Sequence, residues 1–473
     1  MEFQSFQYFI FFFAALILYY TIPWRIGRVV MVLASYLFYS LGNNWYYSLL
    51  LFGSTVIDYF SAIYIEKIND KQKSKPFMAL SILMNIGALC TFKYGDFFIN
   101  QANAINRILG IEHQFSLWHL VLPAGISFYT FQTLSYTLDV YRGQQKAIRN
   151  FTDFALYVAF FPQLIAGPIE RARDLMPQLL TRQTATRLDL EEGFQRILVG
   201  LFKKVVLSDR LAVFISTVYA APNNFSGLEC LLASLAFIFA LYLDFSAYTD
   251  MAIGSARMMG VKLSENFHWP LAARNPSEFM SSWHMSLTRW FRDYVHRSLG
   301  GVAVRNPWKH IRNVLIVMSL AGFWHGASWN YVLAFFMIGS SIAAHQYFRI
   351  YMPRKKKGPL LGHHWWSIIT GNLLTWAILH PAMTCFRSPD YKTFHDMYTG
   401  IFTRPYTIQN TYIPYLFLTL ALYAAHMYRR YYMNKRLDTP MHPALRIMIY
   451  VALLLAINFL ACSTTVQFYY FQF

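Results

Sequence analysis

Apolar runs separated by short polar segments extend along the whole 473-residue chain. A helix needs about 20 apolar residues to cross a bilayer, and on that measure the runs predict spans over 3–22, 29–42, 45–65, 77–92, 118–140, 194–218, 228–250, 365–386, 411–428 and 446–462. Two stretches do not fit a single pass. The stretch 151–168 contains Phe160-Phe161-Pro162 and Gly167-Pro168, breakers that predict a re-entrant segment. The stretch 312–348 is too long for one crossing and predicts an out-and-back hairpin. The fold class expected is an all-α polytopic membrane protein with roughly 10–12 passes and re-entrant segments, forming one domain over 1–473.

Composition agrees with that pattern: 56% of residues are apolar, 18% aromatic and only 14% charged. A water-soluble enzyme, a secreted disulfide scaffold and a disordered tail are all poor fits. The net charge of +18 would suggest nucleic acid in a soluble protein. Here the basic residues collect in 66–75, 142–149, 171–187, 353–357 and 429–436, the positive-inside pattern of a multi-span protein attracted to anionic lipid. With 151–168 re-entrant and 312–348 a hairpin, all five segments fall on the cytoplasmic side. The N-terminus and the tail 463–473 then fall on the outer face, the first span being retained. Cys90, Cys230, Cys385 and Cys462 are far apart and read as structural. No internal repeat is visible.

Two segments carry candidate chemistry. In Asn275–Gly301, Trp283, Leu287, Trp290 and Tyr294 share one helical face while Met285, Arg289, Arg292 and His296 share the other. That predicts an interfacial helix, with His284 on the boundary between the faces, either packed or looking into the protein. In Gly322–Tyr331, His325 lies inside an apolar run between Trp324 and Gly326, close to Trp329 and Asn330. An ionisable residue at membrane depth is costly and is a functional candidate by default. An imidazole suits proton transfer from a hydroxyl near neutral pH. Gly322 and Gly326 would let a neighbouring backbone or a substrate approach closely. His325 is expected about 20 Å along its helix from the cytoplasmic end, at about 1.5 Å per residue. Asp58, Asp139, Asp244, Asp250, His345, His380 and His426 read as structural, and no motif suggests a metal or a nucleotide.

The segments FPQLIAGPIERARDLMPQL (161–179), LYLDFSAYTDMAIG (241–254), NPSEFMSSWHMSLTRWFRDYVHRSLGG (275–301) and GFWHGASWNYVLAF (322–335) together resemble the membrane-bound O-acyltransferase family. The similarity is greatest to its bacterial branch of alginate and peptidoglycan O-acetyltransferases and teichoic-acid D-alanyl transferases. With 123–143 added, it covers most of residues 90–340, the motif-bearing core. Where relatives usually carry an arginine pair before W-H and a Y-I-P-L-G-G ending, this chain has Ser281-Ser282 and Val295-His296-Arg297-Ser298.

The resemblance implies a helical fold around a central tunnel, with His325 as the essential catalytic residue and His284 beside the path. Trp283, Arg289, Trp324, Trp329 and Asn330 are the expected substrate contacts. It implies a cytoplasmic acyl thioester such as acetyl-coenzyme A as donor, no tightly bound cofactor and no metal. The ending Phe468, Tyr470, Phe473 matches an F-x-Y-x-x-F pattern, which implies that Tyr470 carries the acyl group. An aromatic belt beside the last span would look the same. The expected function is O-acetylation of an extracytoplasmic polysaccharide from the inner membrane, through a periplasmic acetyltransferase or esterase-like partner. D-alanyl transfer to teichoic acid and a non-catalytic transporter or scaffold are the alternatives.

Overall fold

The computed structural model describes residues 3–301, 306–351, 365–433, 442–462 and 466–469, and no strand occurs among them. The helices of the first part are α1 (Phe6–Thr21), α2 (Trp24–Gly42), α3 (Tyr47–Ile68), α4 (Lys71–Phe92), α5 (Gly95–Ile108), α6 (Ile126–Tyr141), α7 (Phe151–Ala159), α8 (Phe161–Leu164), α9 (Ala172–Leu180) and α10 (Arg187–Phe202). They continue as α11 (Asp209–Ala220), α12 (Gly227–Met258), α13 (Pro276–Ser282), α14 (Met285–Trp290), α15 (Pro307–His325) and α16 (Trp329–Tyr351). The last are α17 (Trp365–Arg387), α18 (Tyr391–Thr403), α19 (Ile413–Tyr428) and α20 (Pro443–Leu460). Among the described residues α3, α4 and α12 are both long and apolar enough to cross a membrane, and α1 and the Ala444–Leu460 part of α20 are shorter apolar helices. The chain is an all-α membrane protein.

It divides into two compact units, Met1–Ile197 with Tyr248–Ser264 and Leu198–Ala247 with Glu265–Phe473. In the first unit the apolar helices are tied together by buried polar groups. Asp58 on α3 accepts from Asn85 on α4 at 2.9 Å and from Thr137 on α6 at 3.2 Å, and also from Ser81. A carboxylate in an apolar bundle is stable only when so bonded. Asp250 on α12 accepts from Arg196 on α10 at 2.9 Å. The stretch 151–168 is broken as its prolines and glycine require, α7 giving way at Phe160 to the single turn of α8.

Three expected elements differ. The span at 118–140 begins only at Ile126, because Gly125 is left-handed (φ +81°) and the preceding segment, with His119 also left-handed (φ +49°), is held out of the helix. There Asp96 accepts from the backbone N–H of Trp118 and His119, and Asn43 from that of Ala124. The span at 194–218 is helical throughout but changes to a π-helical stretch, Lys203–Ser208, between α10 and α11. The interfacial segment 275–301 is not one helix, for α13 stops at Ser282 and α14 restarts at Met285. The basic segment 353–357 lies outside the described residues, as do 434–436 of the segment 429–436.

In the second unit 312–348 is a helical hairpin, α15 and α16 joined through Gly326–Ser328. Gly322 and Gly326 do admit a close neighbour, and it is the protein itself. A Cβ on Gly322 would run into the Tyr331 carbonyl, and one on Gly326 into the Tyr331 ring.

Candidate active site

His325 is the last residue of α15, where the hairpin turns, and it is buried. Its position follows from the helix start and stop: Asn306 caps the N-terminus through the backbone N–H of Trp308 and Lys309, Pro307 takes the first position, and extended Gly326 ends the helix. With Trp283, Phe279, Met280, Phe335 and Phe386 it lines a narrow apolar slot whose free volume, about 10 Å³, is close to that of a single water. Its ring lies 4.7 Å from that of Phe335 and 5.5 Å from that of Phe386, centroid to centroid.

His284 reaches the same neighbourhood by a different route. The break between α13 and α14 places it in the left-handed region (φ +41°), which costs a non-glycine residue about 1–2 kcal/mol. The loop 266–268 imposes the break by competing for the backbone. Met285 N–H donates to the Asn266 carbonyl at 2.9 Å, His268 N–H donates to the Ser282 carbonyl at 3.0 Å, and Ser286 Oγ donates to Asn266 Oδ1 at 2.6 Å. Strain held by surrounding bonds is a mark of functional sites. His284 is buried, its ring 4.6 Å from Phe245 and 5.9 Å from Trp324. Trp324 is 4.9 Å from His325, so this one indole contacts both imidazoles.

The other sequence candidates are distributed unevenly. Trp283 is buried, stacked on Phe279 at 5.5 Å, and lines the slot. Trp324 is buried between the histidines. Arg289 points away, its Nε donating to the Met285 carbonyl at 3.2 Å and its Nη2 to that of Glu265 at 3.5 Å. Trp329 is 60% exposed and takes no part in the slot. Asn330 is a brace: its side-chain amide donates to the Ser388 carbonyl at 2.9 Å. Tyr470 and Phe473 lie outside the described residues, whereas Phe468 and Tyr469 are buried. Two of the histidines expected to be structural have hydroxyl partners on other helices: His345 lies 3.0 Å from Ser277 Oγ and His380 2.6 Å from Ser234 Oγ.

Lys204 escaped the sequence reading. It lies in the π-helical stretch, buried against Asp209 of α11 and Asp244 of α12. The signal was available in GLFKKVVLSDR, where charged residues interrupt an apolar run. Among the described residues no group of three or more histidine, cysteine or acidic side chains could hold a metal ion. The arrangement suits acid–base chemistry by an imidazole held in a narrow apolar slot.

The comparisons with known proteins point to one family. Residues 145–372, which include both histidines, match the model of the membrane-bound O-acyltransferase family. The chain is 36% identical over 389 residues to a probable alginate O-acetylase, AlgI, of Azotobacter vinelandii, covering 82% of this chain and 74% of that protein. It is 32% identical over 400 residues to a peptidoglycan O-acetyltransferase of Helicobacter pylori, covering 79% and 73%. A teichoic acid D-alanyltransferase of Bacillus subtilis is 30% identical over 227 residues, covering 46% and 56%. With a helical fold and relatives matched over most of its length, the chain belongs to the membrane-bound O-acyltransferase family and is a membrane O-acyltransferase.

Proposed function

We propose that the protein takes an acetyl group from a cytoplasmic thioester, acetyl-coenzyme A, and passes it across the inner membrane for O-acetylation of an extracytoplasmic polysaccharide, alginate-like or peptidoglycan. The observation that carries this reading is His325 at the turn of the hairpin, lining an apolar slot with His284 one indole away. The relatives named as O-acetylating enzymes match about four-fifths of the chain and the D-alanyltransferase under half, which favours acetyl over D-alanyl.

In this reading the His325 imidazole takes the proton of an acceptor hydroxyl. The hydroxyl oxygen attacks the thioester carbonyl, the C–S bond breaks, and the thiol leaves with that proton. The apolar walls exclude water, which would otherwise consume the thioester. Trp283 and the Phe rings hold the acyl arm, and His284 helps position the arm or the acceptor. No tightly bound cofactor is needed. Tyr470 is the proposed acceptor: a phenyl ester has a better leaving group than a sugar ester, since tyrosine ionises at about 10, so onward transfer to a polymer hydroxyl through a periplasmic partner runs downhill. Support comes from its neighbours, because Phe468 and Tyr469 are buried in the unit that carries the histidines and do not form an exposed belt. The charge pattern supports an outer-face position for the tail and the N-terminus.

Labelled acetyl-coenzyme A incubated with membranes tests the reading. Wild type should yield acetylated product, and His325→Ala should lose about 10²–10⁴-fold in rate at normal abundance. Label that is bound or moved without any acetylated product would make the protein a transporter and end the enzymatic reading. For the shuttle, Tyr470→Phe should abolish polymer acetylation in intact cells, and full acetylation by that variant would rule it out.

A further inference from the structure

The C-terminal segment is fastened to the histidine-bearing unit by its main chain, and the fastening centres on Lys204. The Lys204 ammonium, 3% exposed, lies 2.8 Å from Asp209 Oδ1, 2.8 Å from Asp244 Oδ1 and 2.9 Å from the Val466 carbonyl. The Val466 carbonyl accepts a hydrogen bond from the ammonium, and the two carboxylates are its ion-pair partners. Asp244 uses its second oxygen on the same segment, accepting the Tyr469 backbone N–H at 2.8 Å. Two further main-chain bonds lead up to this point. Arg210 donates to the Leu460 carbonyl at 2.8 Å, and Cys462 N–H donates to the Val205 carbonyl at 2.9 Å.

This cluster is expensive to build. Removing an ammonium and two carboxylates from water costs several kcal/mol per ion, and a well-packed apolar trio is often as stable or more so. What an apolar trio cannot supply is polar atoms that bind another strand of backbone. The neighbours of the segment show what that binding places. The Tyr469 ring lies 5.7 Å from Phe237, whose ring is 6.3 Å from Phe386, a wall of the His325 slot. The Phe468 ring lies 6.1 Å from Phe245, which is itself 4.6 Å from His284. Each end of the docked pair is one aromatic ring from one side of the two-histidine site.

We propose that Lys204, with Asp209 and Asp244, is a set of positioning residues that clamps the main chain of residues 466–469 and so holds the C-terminal segment in register beside His284 and His325. The inference rests on the reading that acyl transfer occurs at His325, and it does not depend on which side chain accepts the acyl group. The clamp grips carbonyl and N–H groups, so it tolerates side-chain change in the segment and is sensitive to loss of a backbone donor.

A pair of variants on the segment separates a clamp from a merely structural cluster without touching the helical core. Tyr469→Ala keeps the N–H that Asp244 accepts, and Tyr469→Pro removes it. With labelled acetyl-coenzyme A, the Pro variant should show a kcat about tenfold or more below the Ala variant, because small misplacements near a reacting centre can cost up to a hundredfold. The donor KM and melting temperature of the two should agree. A second arm replaces the cluster itself with Lys204→Met, Asp209→Asn and Asp244→Leu together. That triple variant should melt no lower than wild type, turn over about tenfold more slowly, and lose its C-terminal segment faster to carboxypeptidase. Equal kcat in the Pro and Ala variants, or a stable triple variant with wild-type kcat and wild-type resistance to carboxypeptidase, overturns the clamp. Absence of acetyl transfer in wild type overturns instead the reading of function on which it rests.

Discussion

His310 Nε2 on α15 lies 2.8 Å from Gln346 Oε1 on α16, joining the two helices of the hairpin at the end away from its turn. The turn carries His325, so the direction in which that imidazole faces depends on a hairpin closed at both ends. Gln346→Leu should lower the melting temperature by the equivalent of about 1 kcal/mol, the usual net worth of such a bond. Turnover per folded molecule should stay unchanged. An unaltered melting temperature would show that the contact does not hold the hairpin.

The two glycines of the turn should not be equivalent. A methyl group at Gly322 meets the Tyr331 backbone carbonyl, which cannot move without displacing α16, whereas at Gly326 it meets a ring that can turn aside. Gly326 is extended at φ −170°, a conformation open to any residue. Gly322→Ala is therefore expected to cost about 1–3 kcal/mol and to depress activity, the usual penalty of overpacking, and Gly326→Ala to cost less. Thermal melts and acetyl-transfer rates on both variants check the order, and the reverse order would refute it.

At His284 the backbone and the side chain make opposite demands. The left-handed backbone favours glycine, so His284→Gly should be more stable than His284→Ala. If the imidazole only fills space, the Gly variant should retain its turnover. If it positions the acyl arm or the acceptor, both variants should lose turnover while still binding donor. Donor binding measured beside kcat decides between the two.

Glu278, on the short helix α13 outside the spanning helices, supplies a pH dependence. Burial opposes its charge, but the Arg274 backbone N–H at 2.9 Å and the guanidinium groups of Arg430 and Arg274 outweigh that opposition and hold the carboxyl below its ordinary value of 4.5. A carboxyl depressed on folding stabilises fully above its unfolded value, and the gain is lost as pH falls through the folded one. Glu278→Gln should thus melt below wild type at neutral pH, by about 1.5–3 kcal/mol for bonds to a charged group. The gap should start to close below about pH 4.5. A gap that stays constant down to pH 3 would refute the assignment.

Much of the architecture was legible because a bilayer imposes simple rules on a chain. Span length is set by hydrocarbon thickness, and Phe160-Phe161-Pro162 marked where 151–168 would break. The hairpin of 312–348 followed from its length and from the parity of basic segments. His325 stood out because an imidazole inside an apolar run is costly wherever the chain goes. The misreadings at 118–125 and 275–301 have one cause. Hydrophobic period reports which face is buried, and Trp283, Leu287, Trp290 and Tyr294 are all buried, but period does not report competition for backbone hydrogen bonds. Asp96 and Asn43 hold the first segment out of the helix, and the loop 266–268 breaks the second.

The sequence by itself determined that this is a helical membrane protein and where its main helices and hairpin lie, and it singled out His325 as the candidate to test, since each follows from local composition against a known solvent. Tertiary structure alone decided the rest. It placed Trp324 between the two imidazoles, turned Arg289 and Trp329 away from the slot, and joined Lys204 to Asp244 and to the Val466 carbonyl. Lys204 and Val466 are 262 positions apart, and no local pattern encodes a contact between them. Their meeting depends on how the helices pack, and on the cost of leaving a buried charge without acceptors.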